Sequence, residues 1–177
     1  MACLLWKPDV LTPNTTRDAE REQDGFRSPE PGDGREIWAL AGRVGLDLNS
    51  PYAYVMWFDH FSRTSLVALT GGRVVAFAMG YRLPAESDTL FIWQIGVDES
   101  ARGRGLAGRI LDELIVRTAP VSVEATVTPS NHASAALFRG LGSRHGTEVS
   151  ETPAYGADLF PAGHEAEIRF RIPVGRR

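Results

Sequence analysis

The stretch Phe91–Gly108, FIWQIGVDESARGRGLAG, constrains the fold more than any other part of the chain. It reads as a strand that runs into a glycine-rich turn and opens at once onto a helix. Within the turn, Arg102-Gly103-Arg104-Gly105-Leu106-Ala107, two glycines let the backbone approach a ligand closely and two arginines set positive charge beside it. Ile110, Leu111, Leu114 and Ile115 follow at helical spacing, so the helix that begins here directs its unpaired N–H groups at the same point. That is a place to hold phosphates. GRGLAG formally satisfies the GxGxxG pattern of dinucleotide sites, but no acidic residue follows a second parallel strand at the βαβ spacing. The strand before the turn also reads as amphipathic rather than buried on both faces. Any anion is attracted to such a turn, so the motif alone selects no ligand.

The length of 177 residues fits one domain with a real core. A net charge of −3 gives no basic surplus, which argues against nucleic acid as the main partner. No run approaches the roughly 18 apolar residues of a membrane span, so no membrane partner and a cytoplasmic location are expected. Cys3 is the single cysteine, which rules out disulfide frameworks and cysteine zinc sites within one chain. Leu11 to Gly25 is rich in Thr, Arg, Asp and Glu with little apolar periodicity. Residues 1–25 are therefore expected to be a flexible extension, and 26–177 the folded domain.

Ile37, Leu40, Ala41 and Val44 share a helical face after the Pro31-Gly32-Asp33-Gly34 turn. Ser50-Pro51 is a second helix start, with Ser50 as N-cap, and this helix is expected to run toward Phe61. Ser65–Thr70 and Val74–Tyr81 are apolar, β-branched runs joined by Gly71-Gly72, a hairpin signature. Thr89–Val97 continues the meander after a loop at Pro84 to Asp88. Beyond the phosphate-type helix come a strand at Val121–Val127 and a short helix at Ala133–Arg139. Further strand is expected around Ser143–Val149, and in a final strand Ile168, Phe170 and Ile172 share a face. The fold class is α/β, with a central sheet flanked by helices.

In this setting Arg102-x-x-Gly105-x-Ala107 and Asn131-x-x-Ser134-x-x-Leu137-Phe138 carry a resemblance to the GCN5-related N-acetyltransferases. Within that superfamily, Leu46-Asp47-Leu48-Asn49-Ser50-Pro51-Tyr52, Asp88–Gln94, Thr126–Asn131 and Gly156–Phe160 resemble the L-2,4-diaminobutyrate acetyltransferases of ectoine biosynthesis. The likeness covers roughly Phe26 to Ile172. It implies a mixed, mostly antiparallel sheet in which the strands Thr89–Val97 and Val121–Val127 splay apart and hold acetyl-CoA between them. It also implies acetyl transfer to the side-chain (Nγ) amine of L-2,4-diaminobutyrate, an osmoprotective role and a homodimer. The coenzyme contacts so implied are Ile95, Val97, Arg102, Gly103, Arg104, Gly105, Leu106, Ala107, Asn131 and Phe138.

An alkyl ammonium must lose a proton before it attacks a thioester, so the site needs carboxylates for the cation and a route for the proton. Asp47 is the first candidate for holding the ammonium; a turn or capping aspartate would give the same letter. Asn49 and Tyr52 lie on the same segment and are hydrogen-bonding candidates. Trp93 is expected to wall the pocket. Gln94 should point to the opposite face of the strand, so both reach the pocket only if a bulge turns the chain. His164, Glu165 and Glu167 complete the acceptor set, and in a strand Glu165 and Glu167 would share a face. A solvated charge run would read the same way.

Asp47, Tyr52, Trp93 and Glu165 are the catalytic candidates, and Arg82 and Arg169 are candidates for an α-carboxylate. No metal is expected, because the His164 cluster lacks a partner at diagnostic spacing. Phe138 stands where many superfamily members carry a tyrosine that protonates the leaving thiolate, and phenylalanine cannot do so. Tyr52, Tyr155 or water would have to serve instead. Two other readings stay open at this level: the same fold acting on another small amine, or a non-catalytic acyl-CoA-binding regulatory module.

Overall fold

In the computed structural model, residues 25–175 are described. Residues 1–24 of the expected extension, Cys3 among them, lie outside them, while Gly25 belongs to the first strand. A seven-stranded sheet has the order β1-β2-β3-β4-β5-β7-β6, where β1 is Gly25–Arg27, β2 Leu66–Thr70, β3 Arg73–Leu83, β4 Glu86–Val97, β5 Ser122–Val127, β6 Ser150–Tyr155 and β7 Glu167–Pro173. Every pairing is antiparallel except β4 with β5. Helices α1 (Gly34–Arg43) and α2 (Pro51–His60) cover one face, and α3 (Leu106–Thr118) and α4 (His132–His145) the other.

The central strands are apolar on both faces because both are covered. Leu66 and Ala68 of β2 join Ile110, Leu111, Leu114, Phe138 and Leu141 under α3 and α4. Val67 and Leu69, the alternate residues, join Ile37, Leu40, Tyr54 and Phe58 under α1 and α2. Gly71 and Gly72 both take positive φ, 56° and 72°, which is the type I′ geometry that closes a two-residue hairpin. Ser50 caps α2 by accepting from the Ala53 N–H, with Pro51 in the first turn.

Three boundaries differ from the sequence reading. β4 starts at Glu86, because the turn at Pro84 closes directly into the β3 ladder and leaves no loop through Asp88. The helix expected to end at Arg139 runs to His145, where Gly146 at φ 63° terminates it. The strand expected at Ser143–Val149 is consequently displaced to Ser150–Tyr155. At Gly142 within this helix Val149 folds back against α4 and leaves no room for a side chain. The strand before the phosphate-type turn is also buried across Thr89–Ile92, because helices cover both of its faces.

The ladder between β3 and β4 is irregular where it matters most. Met79 opposes Gln94 and Gly80 opposes Ile92, so Trp93 is an extra, bulged residue. Gly80 fits there because a Cβ would sit 2.9 Å from both the Phe91 and Thr64 carbonyl oxygens. Gly80→Ala is therefore expected to lower stability by about 1–3 kcal/mol, read by thermal or urea unfolding.

Candidate functional site

β4 and β5 pair only from Thr89–Phe91 to Ser122–Glu124. Past that point they diverge, as expected, and leave a cavity of about 250 Å³ between Ile92–Ile95 on one side and Ala125–Thr128 on the other. The Asp98 N–H bonds the Val75 carbonyl of β3. Strand alternation then turns the N–H groups of Ile95 and Val97 to the other edge, toward the gap. The open edges present unpaired backbone donors and acceptors, which a ligand with amide groups would satisfy.

At one end of this gap lies the phosphate-type turn. Gly103 and Gly105 adopt φ 75° and 65°, and a Cβ on either would meet nothing within 4 Å. Gly105 is the N-cap of α3 and supplies no side-chain acceptor, so the first-turn N–H groups stay available to an anion. A cleft of about 440 Å³ runs between this turn and α4, lined by Arg102, Gly103, Gly105, Leu106 and Ala107 on one side and Ala133, Ala136 and Leu137 on the other. Arg144 spans the cleft from α4 to Asp112 of α3 at 3.0 Å. Arg102 is anchored to the Val97 carbonyl at 3.3 Å. Arg104 lines a separate cavity beside Phe26 and Arg109, away from this cleft.

Toward the α1–α2 side the cavity is polar. Asp47 and Asn49 on the loop before α2, His164, and Glu167 at the start of β7 all line it, together with Trp93 and Gln94. The bulge is what lets two consecutive residues reach the same space. Trp93 stacks on Trp57 with ring centroids 4.4 Å apart, and Trp57 also packs on Phe61 and Tyr81. The His164 ring stacks on Phe160 at 4.1 Å, and its Nδ1 lies 2.7 Å from the Glu165 carbonyl oxygen. A carbonyl only accepts, so Nδ1 carries the proton, and in the neutral ring Nε2 is left with the lone pair.

Several sequence candidates sit elsewhere. Glu165 precedes β7 rather than lying in it, so it does not share a strand face with Glu167; its carboxylate accepts from the Ser130 N–H at 3.2 Å. Tyr52 is 74% exposed at the start of α2 and does not line the cavity, and neither does Tyr155. Arg82 donates to the Thr118 carbonyl. Arg169 pairs at 2.9 Å with Glu124, a buried carboxylate that Arg171 also approaches at 3.7 Å. Asn131 caps α4 by accepting from the Ser134 N–H at 3.0 Å, and Asn131, Ser134 and Phe138 form the α4 wall of the cavity.

Sequence reasoning passed over Tyr54 and Trp38. Tyr54 is fully buried, and its hydroxyl donates to Gln94 Oε1 at 2.9 Å. Burial pushes its pKa up. Trp38 Nε1 donates to the Asn49 carbonyl at 3.1 Å. Among the described residues no cluster of three or more His, Cys, Asp or Glu side chains is placed to hold a metal, and no helix is long and apolar enough to cross a membrane.

The model of the acetyltransferase (GNAT) family matches residues 34–142. An L-2,4-diaminobutyric acid acetyltransferase of Halalkalibacterium halodurans is 45% identical over 148 residues, covering 81% of this chain and 78% of that protein. The enzyme of the same name from Shouchella clausii is 47% identical over 148 residues, covering 81% and 83%. Among solved structures, the diaminobutyrate acetyltransferase EctA from Paenibacillus lautus, in complex with L-2,4-diaminobutyric acid and coenzyme A, is 37% identical with a TM-score of 0.82 and covers 88% of this chain and 98% of its own. The ribosomal-protein-S18-alanine N-acetyltransferase from Escherichia coli shares the fold at a TM-score of 0.70 and 20% identity, covering 88% and 96%.

Arg169→Met leaves the buried Glu124 with Arg171 alone, and about 1–3 kcal/mol of stability is expected to go with it, measured by urea unfolding.

Proposed function

Because the chain belongs to the acetyltransferase (GNAT) family and, within it, to the L-2,4-diaminobutyric acid acetyltransferases, we propose that it transfers acetyl from acetyl-CoA to the γ-amine of L-2,4-diaminobutyrate. The observation that carries this reading is the gap between the diverging halves of β4 and β5, bounded by open strand edges and closed on one side by Asp47, His164 and Glu167. The product would be the substrate of ectoine synthase. The single cysteine and the use of an intracellular coenzyme fit a cytoplasmic enzyme.

In the proposed complex the pyrophosphate sits at the N-terminus of α3, against Gly103, Gly105 and Arg102, and the pantetheine amides pair with the free edges of β4 and β5. Asp47 and Glu167 attract the acceptor ammonium, and the Trp93 ring supplies an apolar wall with a negative face beside it. His164 Nε2 takes the amine proton, its ring held by Phe160 and the Glu165 carbonyl. Glu165 thus serves through its backbone and by capping Ser130.

The neutral amine attacks the thioester carbonyl directly. A C–N bond forms, and negative charge develops on the carbonyl oxygen, toward which the Ile95 and Val97 N–H groups are directed. Its collapse re-forms the carbonyl, breaks the C–S bond and releases the thiolate, while the second proton of the attacking nitrogen passes to the thiolate or to water and leaves the neutral amide. Because a thiol has a pKa of only about 8.5, the thiolate leaves without a tyrosine donor, consistent with Phe138. No cysteine stands among the cavity residues to form an acyl-enzyme. Leu48 on the loop before α2 and Tyr52 and Val55 on the helix, all exposed, are proposed as the face that a second copy covers in a homodimer.

The deciding experiment measures thiol release from acetyl-CoA with L-2,4-diaminobutyrate, ornithine, lysine, spermidine and a short peptide, and reads the acetylated nitrogen by NMR. Preference for diaminobutyrate with acetyl on Nγ is expected. Tight coenzyme binding with no turnover would instead mark a regulatory module. Asp47→Ala should raise the KM for the amine about 10- to 100-fold with coenzyme affinity unchanged. His164→Ala should lower kcat about 100-fold. In a binding titration, Arg102→Ala and Gly105→Val should each weaken acetyl-CoA while circular dichroism shows the fold kept.

A further inference from the structure

Asp47 and Asn49 sit on an exposed loop, yet that loop is tied to the core by one buried pair of side chains. The Tyr54 hydroxyl donates to Gln94 Oε1 at 2.9 Å, and Gln94 Nε2 donates to the Asp47 carbonyl at 2.8 Å. The Asn49 N–H lies on the side of the Tyr54 hydroxyl and opposes the rise of its pKa. Tyr54 is fully buried and Gln94 only 8% exposed, so water does not compete for these groups.

The polarity of the chain of bonds has one solution. The Asp47 carbonyl only accepts, so Gln94 must turn its NH₂ toward it. Its oxygen then faces Tyr54, whose O–H must donate. The chain of bonds is therefore fixed at one end by a backbone group of the loop and at the other by a tyrosine anchored in the core. Packing does not require the hydroxyl: a phenylalanine would fill the same space among Ile37, Leu40, Phe58 and Met79.

We infer that Tyr54 is a positioning residue that acts through Gln94 to hold Asp47 and Asn49 at the acceptor pocket. This role rests on the proposed activity, since it concerns where the amine's carboxylate partner stands. Without the link, the Gln94 oxygen loses its partner, the Asn49 N–H loses the hydroxyl beside it, and the loop gains freedom that the substrate must remove on binding. The coenzyme cleft, between the α3 turn and α4, is untouched.

The test compares wild type, Tyr54→Phe, Gln94→Met, Asp47→Ala and the Tyr54→Phe/Asp47→Ala double variant. Tyr54→Phe is expected to raise the KM for L-2,4-diaminobutyrate about tenfold while acetyl-CoA affinity changes less than about twofold. Gln94→Met should reproduce the effect. In the double variant the KM should match Asp47→Ala alone, because the lost link then has no carboxylate to misplace. Independently of turnover, hydrogen exchange at the Asn49 amide should quicken about tenfold in Tyr54→Phe with the β3 and β4 amides still protected.

A lowered melting temperature with unchanged KM and unchanged Asn49 exchange would overturn the positioning role, as would a KM effect that multiplies fully with Asp47→Ala. Wild-type turnover is read in the same assay. Its absence removes the proposed activity itself, whereas normal wild-type turnover with unchanged Tyr54→Phe kinetics removes only the role of Tyr54.

Discussion

The hydrogen bonds that β4 and β5 do not make determine the rest of this molecule. Two parallel strands that remain paired would satisfy each other's backbone groups and leave nothing for a ligand. Here pairing stops after Phe91 and Glu124, and the unpaired edges face one another across a gap. Such a defect is tolerable because the sheet is secured on either side of it. β3 holds the far edge of β4, and β7 pairs with β5 along its whole length. Helices α3 and α4 lie over the breach and share one apolar core beneath it. An open sheet edge is usually a liability that proteins cover or charge. In the proposed complex it becomes the recognition surface.

The phosphate-type turn and the acceptor loop stand on different sides of that gap and depend on different physics. The turn relies mainly on backbone, two left-handed glycines and an uncapped helix end, with Arg102 adding charge beside them. The acceptor side relies on side chains brought from distant segments. Asp47, Trp93, His164 and Glu167 meet only because α2, β4 and the approach to β7 converge there. Binding of an anion is thus nearly a local property of the sequence, whereas selection of the acceptor is a property of the whole fold.

That division explains what could be read in advance. The strand–turn–helix, the glycine hairpin and the Ser50 cap are local, and each was legible from a few adjacent residues. The resemblance carried the splayed strands and the acceptor segments. A period of two separates Trp93 from Gln94, and nothing in the letters announces a bulge that unites them. Glu165 and Glu167 look like strand neighbours because only Ala166 lies between them and nothing in it marks where β7 begins. The last helix runs past Arg139 to His145 because its stop is Gly146, and Gly142 within it leaves room for Val149 from the following segment. Tyr54 read as one more aromatic on a helix, since its partner Gln94 is 40 positions away. An apolar-face tyrosine whose hydroxyl needs a partner was the one available hint.

The register of β4 separates two kinds of information in one strand. If Trp93 is passed over, Gly80 opposite Ile92 and Met79 opposite Gln94 continue the antiparallel ladder without a step, and the residues of β4 from Leu90 to Val97 keep their faces; the second irregularity, between Arg82 and Leu83 of β3, lies beyond them. In register terms the tryptophan is an insertion into a sheet already complete without it. The residues that build the core of β4 and the residue that shapes the acceptor wall are therefore independent variables. Chains of this architecture can change the pocket at that position, or lose it, without rewriting the strand that carries it.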